Sequence, residues 1–172
     1  MRHMGETTLK RDYLVEIWFP IEKDEDGYPE SKEWEQLLAR PTEKVDQFRL
    51  ESVPFYLKNV SRGDLVQTKV LKTEDGEAFE FDGVIEHGGH NTYRLLLREK
   101  HPDDPGYTVN ELVKEGLAVE EQHGNFLAVD VPPSVDQTAI DKYLGAQSES
   151  GRWEMQDGYL HSIKTSKPDD EQ

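Results

Sequence analysis

The sequence predicts an α+β fold in two halves, a β-rich stretch over residues 12–90 and a mixed stretch over 91–164. Two observations predict it. β-branched and aromatic residues alternate with period two between frequent turn signals in the first half, without a run at helical spacing. In the second half, two segments carrying helix-start signals interrupt the strands.

The first strand runs from Tyr13 to Phe19, where Val15, Ile17 and Phe19 alternate with Leu14, Glu16 and Trp18, and Pro20 ends it. An acidic loop follows, Glu22-Lys23-Asp24-Glu25-Asp26-Gly27-Tyr28-Pro29. Trp34 to Arg40 and Gln47 to Leu50 read as strands about a polar turn, and Val53 to Leu57 and Leu65 to Leu71 continue the pattern across Ser61-Arg62-Gly63-Asp64. Asp75-Gly76 signals a hairpin into Ala78 to Ile85. So many short strands imply a small barrel-like or strongly bent antiparallel sheet.

In the second half, Thr92 to Arg98 is a strand. Thr108 and Glu111 form a T-x-x-E capping box before Val109, Leu112 and Val113, with Gly116 at the C-terminal cap. Leu117 to Glu121 and Phe126 to Val131 form a hairpin about His123-Gly124-Asn125. Ser134 and Gln137 make a second box ahead of a helix from Val135 to Leu144. Asp157-Gly158 marks a last hairpin between Trp153 to Gln156 and Tyr159 to Ile163. Strand, helix, strand, strand, helix, strand is the split βαβ order of a ferredoxin-like half. Residues 1–11 form an N-terminal segment whose first four residues read as an expression remnant, and 165–172 read as a disordered acidic tail.

Charge narrows the function. With 20 basic and 36 acidic residues the net charge is −16, so the average surface repels phosphate backbones and anionic membranes. A basic protein is the natural partner, because the same field accelerates its approach; neither nucleic acid nor membrane is expected. The absence of cysteine excludes disulfides and thiol chemistry and fits a reducing, cytoplasmic setting. No run approaches the roughly 18 apolar residues of a membrane span, and the N-terminus lacks a signal peptide's apolar core.

Six segments carry a resemblance: Val15 to Pro20, Asp24 to Pro29, Val53-Pro54-Phe55, Val60 to Asp64, Gly89 to Arg94 and Val129 to Pro133. Together they resemble an uncharacterised bacterial family known as a domain of unknown function. The resemblance implies no activity. The second half is similar to ferredoxin-like regulators that inhibit an RNA-processing nuclease, and small proteins of this type are suspected of neutralising toxins.

Three constellations bear on chemistry. Glu22, Asp24, Asp26, Gly27 and Glu33 fall at the spacing of a calcium loop, but Glu22 replaces the usual Asp, Pro29 breaks the pattern and no helix precedes it. A solvated turn is the expectation. His87 and His90 flank two glycines, with Asn91 next; this pattern suits a structural turn first and a ligand or metal second. Trp18, Trp34 and Trp153 are possible interface anchors, with core packing expected for most of them. No serine sits in a G-x-S-x-G turn, and no phosphate loop or dinucleotide fingerprint occurs.

The expected function is therefore a non-catalytic cytoplasmic binding protein, an inhibitor or immunity protein that occludes a basic toxin or nuclease, without metal or other cofactor. Its expected contacts are Asp24, Glu25, Asp26 and Asp157. The alternative is a small-molecule-binding module or enzyme with its site between the two halves, near His87, His90 and Asn91.

Overall fold

In the computed structural model the described residues are 13–23, 25–27, 29, 32–98, 106–122 and 125–161. Residues 1–11 and 165–172, on which the remnant and the acidic tail were expected, lie outside them. The chain forms two compact units, one made of residues up to 52 with 62–88, the other of 53–61 with 89 onward.

The first unit contains β1 (Val15–Pro20), β2 (Trp34–Pro41), β3 (Gln47–Leu50), β4 (Leu65–Thr73) and β5 (Gly76–Glu86), closed into a barrel in that order. Sequential neighbours pair antiparallel, and closure comes from a parallel pair that sets Ile17 against Phe79 and Trp18 against Glu80. Alternation decides what lies inside. Ile17, Phe19, Leu37, Ala39, Phe48, Leu50 and Val66 are buried, and the rings of Phe19 and Phe81 stack at 4.6 Å while Phe48 meets Phe79 at 4.9 Å. Each of these side chains larger than Ala39 contributes about 1.5–3 kcal/mol by leaving water. Because β1 alternates, burying Ile17 and Phe19 turns Glu16 and Trp18 outward.

The second unit contains β6 (Asn91–Leu97), α1 (Gly106–Lys114), β7 (Ala118–Gln122), β8 (Phe126–Val131), α2 (Gln137–Glu149) and β9 (Trp153–Leu160), with sheet order β7-β8-β6-β9. Tyr93, Leu95, Leu97, Leu127, Val129 and Trp153 from the strands form one core with Leu112 of α1 and Ile140 and Leu144 of α2. On β6 the alternate residues Thr92 and Arg94 are buried as well. The segment 53–61 engages them: Arg94 donates to the Leu57 carbonyl, and Ser61 and Thr92 share a hydroxyl hydrogen bond of 2.6 Å. The backbone N–H of Val53 donates to Glu120 at 3.1 Å.

The expected α+β class with a ferredoxin-like second half is corrected to a mainly β molecule: 47% of the described residues are strand and 17% helix, in two predominantly antiparallel sheets with two helices. Individual elements show why. Val53 to Leu57 is no strand, since Pro54 removes a ladder donor. Helix α1 begins at Gly106, so Thr108 lies buried inside it rather than at its cap. Helix α2 is capped not by Ser134 but by Asp136, whose carboxylate accepts from the Ala139 N–H at 3.1 Å, and it runs through Gly145 to Glu149.

Asp157-Gly158 is a bulge rather than a hairpin turn. Asn91 pairs with Leu160 and Tyr93 with Asp157, so three steps on β9 oppose two on β6. Gly158 fits because a Cβ there would stand 3.1 Å from Thr92 and Arg94 side-chain atoms. Among the described residues no helix is long and apolar enough to cross a membrane.

Candidate functional site

The acidic loop leaves β1 and returns into β2, so its base is set by the ladder pair Pro20 and Trp34 and by the Ile21 N–H donating to the Glu33 carbonyl at 2.9 Å. Inside it lies a lysine. The ammonium of Lys23 donates to the carbonyls of Pro29 at 2.6 Å and Lys32 at 3.0 Å and stands 3.8 Å from the Glu33 carboxylate. Of the oxygens a calcium loop would supply, a side-chain cation thus lies beside the Glu33 carboxylate. Among the described residues no group of three or more His, Asp or Glu side chains is arranged to hold a metal. Glu22, Glu25, Asp26 and Glu33 are exposed; Asp24 lies outside the described residues.

At the base of this loop stands a pair of tryptophans. Trp18 on β1 and Trp34 on β2 meet edge to face with centroids 6.1 Å apart, and Trp34 is 39% exposed. Glu16 lies two residues before Trp18 on the same outward face, and Glu80 pairs with Trp18 across the closing ladder. Lys69 lies opposite Glu80 in register, yet its ammonium pairs with Asp82 at 4.0 Å. Leu38, also 39% exposed, lies on the same outward face of β2, separated from Trp34 by Gln36. The third tryptophan, Trp153, is fully buried in the second unit, its indole N–H donating to the Leu144 carbonyl at 3.2 Å.

The two histidines are engaged separately. In the first unit His87 Nδ1 is 2.9 Å from a carboxylate oxygen of buried Asp64, whose other oxygen accepts from the Gly88 N–H at 2.9 Å. Gly88 is required there by packing, since a Cβ would meet the Gly63 carbonyl oxygen at 2.5 Å. In the second unit His90 Nδ1 is 2.7 Å from buried Asp130, and Gln137 donates to the carbonyls of Gly89 and Val131, both at 2.9 Å. Asn91 is buried at the start of β6. Each imidazole is oriented by its own aspartate.

Asp157 lies mid-strand on β9 beside a polar cluster of the second unit. Tyr93 donates its hydroxyl to Asp141 at 2.6 Å. Burial first, and then the Asp141 hydrogen bond and charge, push the Tyr93 phenol up. Burial, then the charge of Asp141, raises the Asp157 carboxyl, although the residue reaches solvent.

A further network was hidden in the sequence. Arg152 grips Glu111 bidentately at 2.7 and 3.0 Å and donates also to Gln147 at 3.0 Å and Thr108 at 3.2 Å, while Tyr143 donates to Glu111. Arg152 holds the Glu111 carboxyl below its ordinary value, whereas burial followed by the Glu111 hydrogen bond pushes the Tyr143 phenol up to about 12. The T-x-x-E spacing of Thr108 and Glu111, read as a cap, puts both side chains on one helix face toward this arginine.

A family model described as a domain of unknown function, DUF4265, matches residues 35–155. The chain belongs to this family. Among solved structures, the fold of this DUF4265 protein is similar to that of a hypothetical protein from Neisseria gonorrhoeae, with a TM-score of 0.62 and 15% identity over 87% of this chain and 96% of the other. At that identity the likeness concerns fold alone. A search of the curated proteins finds no match.

Proposed function

We propose that this DUF4265 protein is a non-catalytic binding protein that docks a basic protein through the outward face of β1 and β2, in the manner of a cytoplasmic inhibitor or immunity protein. The single observation carrying this reading is the half-exposed Trp18–Trp34 pair at the base of an acidic loop. Large aromatics that the barrel core does not use are the residue type that concentrates binding energy. Glu16, Glu22, Glu25, Asp26, Glu33 and Glu80 surround them with negative charge, which steers a cationic partner and pairs with its lysines and arginines. An arginine laid over either indole gains a cation–π contact as well. Lys23 supports the reading by tying the loop down before binding, so less ordering entropy is lost on association.

The test is affinity capture from a lysate of the native host at low and moderate salt, with the retained proteins identified by mass spectrometry. One stoichiometric basic protein, whose association slows when Glu25→Gln and Asp26→Asn are combined, is the expected result. Retention of a partner whose association rate ignores both salt and these substitutions would refute the electrostatic part.

A further inference from the structure

The second unit holds a groove of about 600 Å³ between its two helices that the proposed docking face does not use. Tyr107, Asn110, Glu111 and Lys114 of α1 fall at i, i+3, i+4 and i+7 and so share one helix face. Tyr143 and Gln147 of α2, one turn apart, supply the other wall. Arg152 closes the floor.

The floor is fixed before any ligand arrives. Arg152 is held by Glu111, Gln147 and Thr108, and its guanidinium stacks 4.8 Å above the ring of buried Trp153. Because Gln147 accepts from Arg152 through its side-chain oxygen, its NH2 is left as a donor. Asn110 and Lys114 are exposed along the α1 wall, and Tyr107 is 52% exposed at the rim.

Charge and polarity identify the ligand class. Glu111 and Glu115 are balanced by Lys114 and Arg152, so the lining is neutral in a chain of net charge −16. An anion or a cation gains no net attraction from it. No Leu, Ile, Val or Met lines the groove, so its apolar surface is that of aromatic rings and the stems of polar side chains. What remains is two phenols, two amides, a lysine, a glutamate and a locked ion pair: flat apolar ring faces bordered by closely spaced donors and acceptors. A pyranose presents the complement, an apolar C–H face edged by hydroxyls.

We propose that this groove binds a neutral carbohydrate, with Tyr107 as the stacking ring and Asn110, Lys114 and Gln147 bonding to sugar hydroxyls. The proposal is independent of the docking surface, which lies on other residues of the other unit.

Calorimetric titration of the intact chain with maltotriose, cellotriose and tri-N-acetylchitotriose tests it, with citrate and spermidine as charged controls at matched ionic strength. Saturable binding of at least one trisaccharide is expected, weakened by at least about tenfold in Tyr107→Ala. Asn110→Ala, on the same wall, should weaken the same sugar and serves if the tyrosine variant misfolds. The proposal is overturned if no trisaccharide saturates, if citrate or spermidine binds more tightly, or if both folded variants titrate as wild type.

Discussion

The two units treat their tryptophans in opposite ways. In the sheet-and-helix unit Trp153 is fully buried, its N–H and both ring faces used by the structure. In the barrel, phenylalanines fill the interior and Trp18 and Trp34 stay on the outside at the root of an acidic loop. A buried indole contributes to stability. One held at the surface by the alternation of a strand contributes little to stability, and its apolar area is available to a partner.

The largest expected effect sharpens this contrast directly. Trp153→Ala should destabilise the second unit by about 3–5 kcal/mol, as large-to-small changes in a packed core do. Trp18→Ala and Trp34→Ala should each cost about 1 kcal/mol or less. Urea unfolding followed by circular dichroism measures all three, and an equal loss at Trp34 and Trp153 would erase the distinction.

An intermediate effect tests the network beneath Trp153's neighbour. The Glu111 carboxyl is depressed in the fold, so its contribution is present above its ordinary value of 4.5 and is lost as pH falls through the lower folded value. Glu111→Gln should therefore be less stable than wild type at neutral pH, and the gap should close in acid. Tyr143 acts at the other end: its raised value means that its contribution is intact below 10.0 and lost as pH climbs toward 12. Melting temperatures across pH for Glu111→Gln and Tyr143→Phe check both limbs. A gap at Glu111 that widens in acid would contradict the arrangement.

The smallest effect concerns Asp157. Its raised carboxyl is disfavoured when ionised, so its contribution is present below 3.8 and declines above it. Asp157→Asn should be slightly more stable at neutral pH and indistinguishable from wild type in strong acid. A lower midpoint at neutral pH would show instead that the charge is favourable where it stands.

Much of the strand pattern was legible, because alternation in Val15 to Pro20 and the Asp75-Gly76 hairpin signal are local properties of the chain. What failed depended on contacts distant in sequence. Asp157-Gly158 carries the composition of a turn, yet it lies in a continuous strand as a bulge against β6, where a Cβ at Gly158 would crowd Thr92 and Arg94. Thr108 and Glu111 have capping-box spacing, but Arg152, 41 residues beyond Glu111, claims both. The helix start was missed by a few residues because Ser134 and Asp136 both offer capping oxygens, and only the observed Asp136 carboxylate reaches the Ala139 N–H.

Of the candidate site, the acidic loop was visible as composition, while Asp24 lies outside the described residues. The outward turn of Trp18 was implicit in the alternation with Ile17 and Phe19. Its pairing with Trp34 depends on the β1–β2 register, which a sequence does not specify.

The central claim is that Trp18 and Trp34 anchor a basic protein. It is tested most directly by immobilising wild type and the Trp18→Ala/Trp34→Ala double variant side by side, with circular dichroism confirming that the variant is folded. Both are exposed to the same host lysate, and the retained proteins are quantified by mass spectrometry. The account predicts one basic protein retained at least about tenfold more by wild type, equivalent to the loss of a modest binding hot spot. Equal retention of that protein by the two would contradict it.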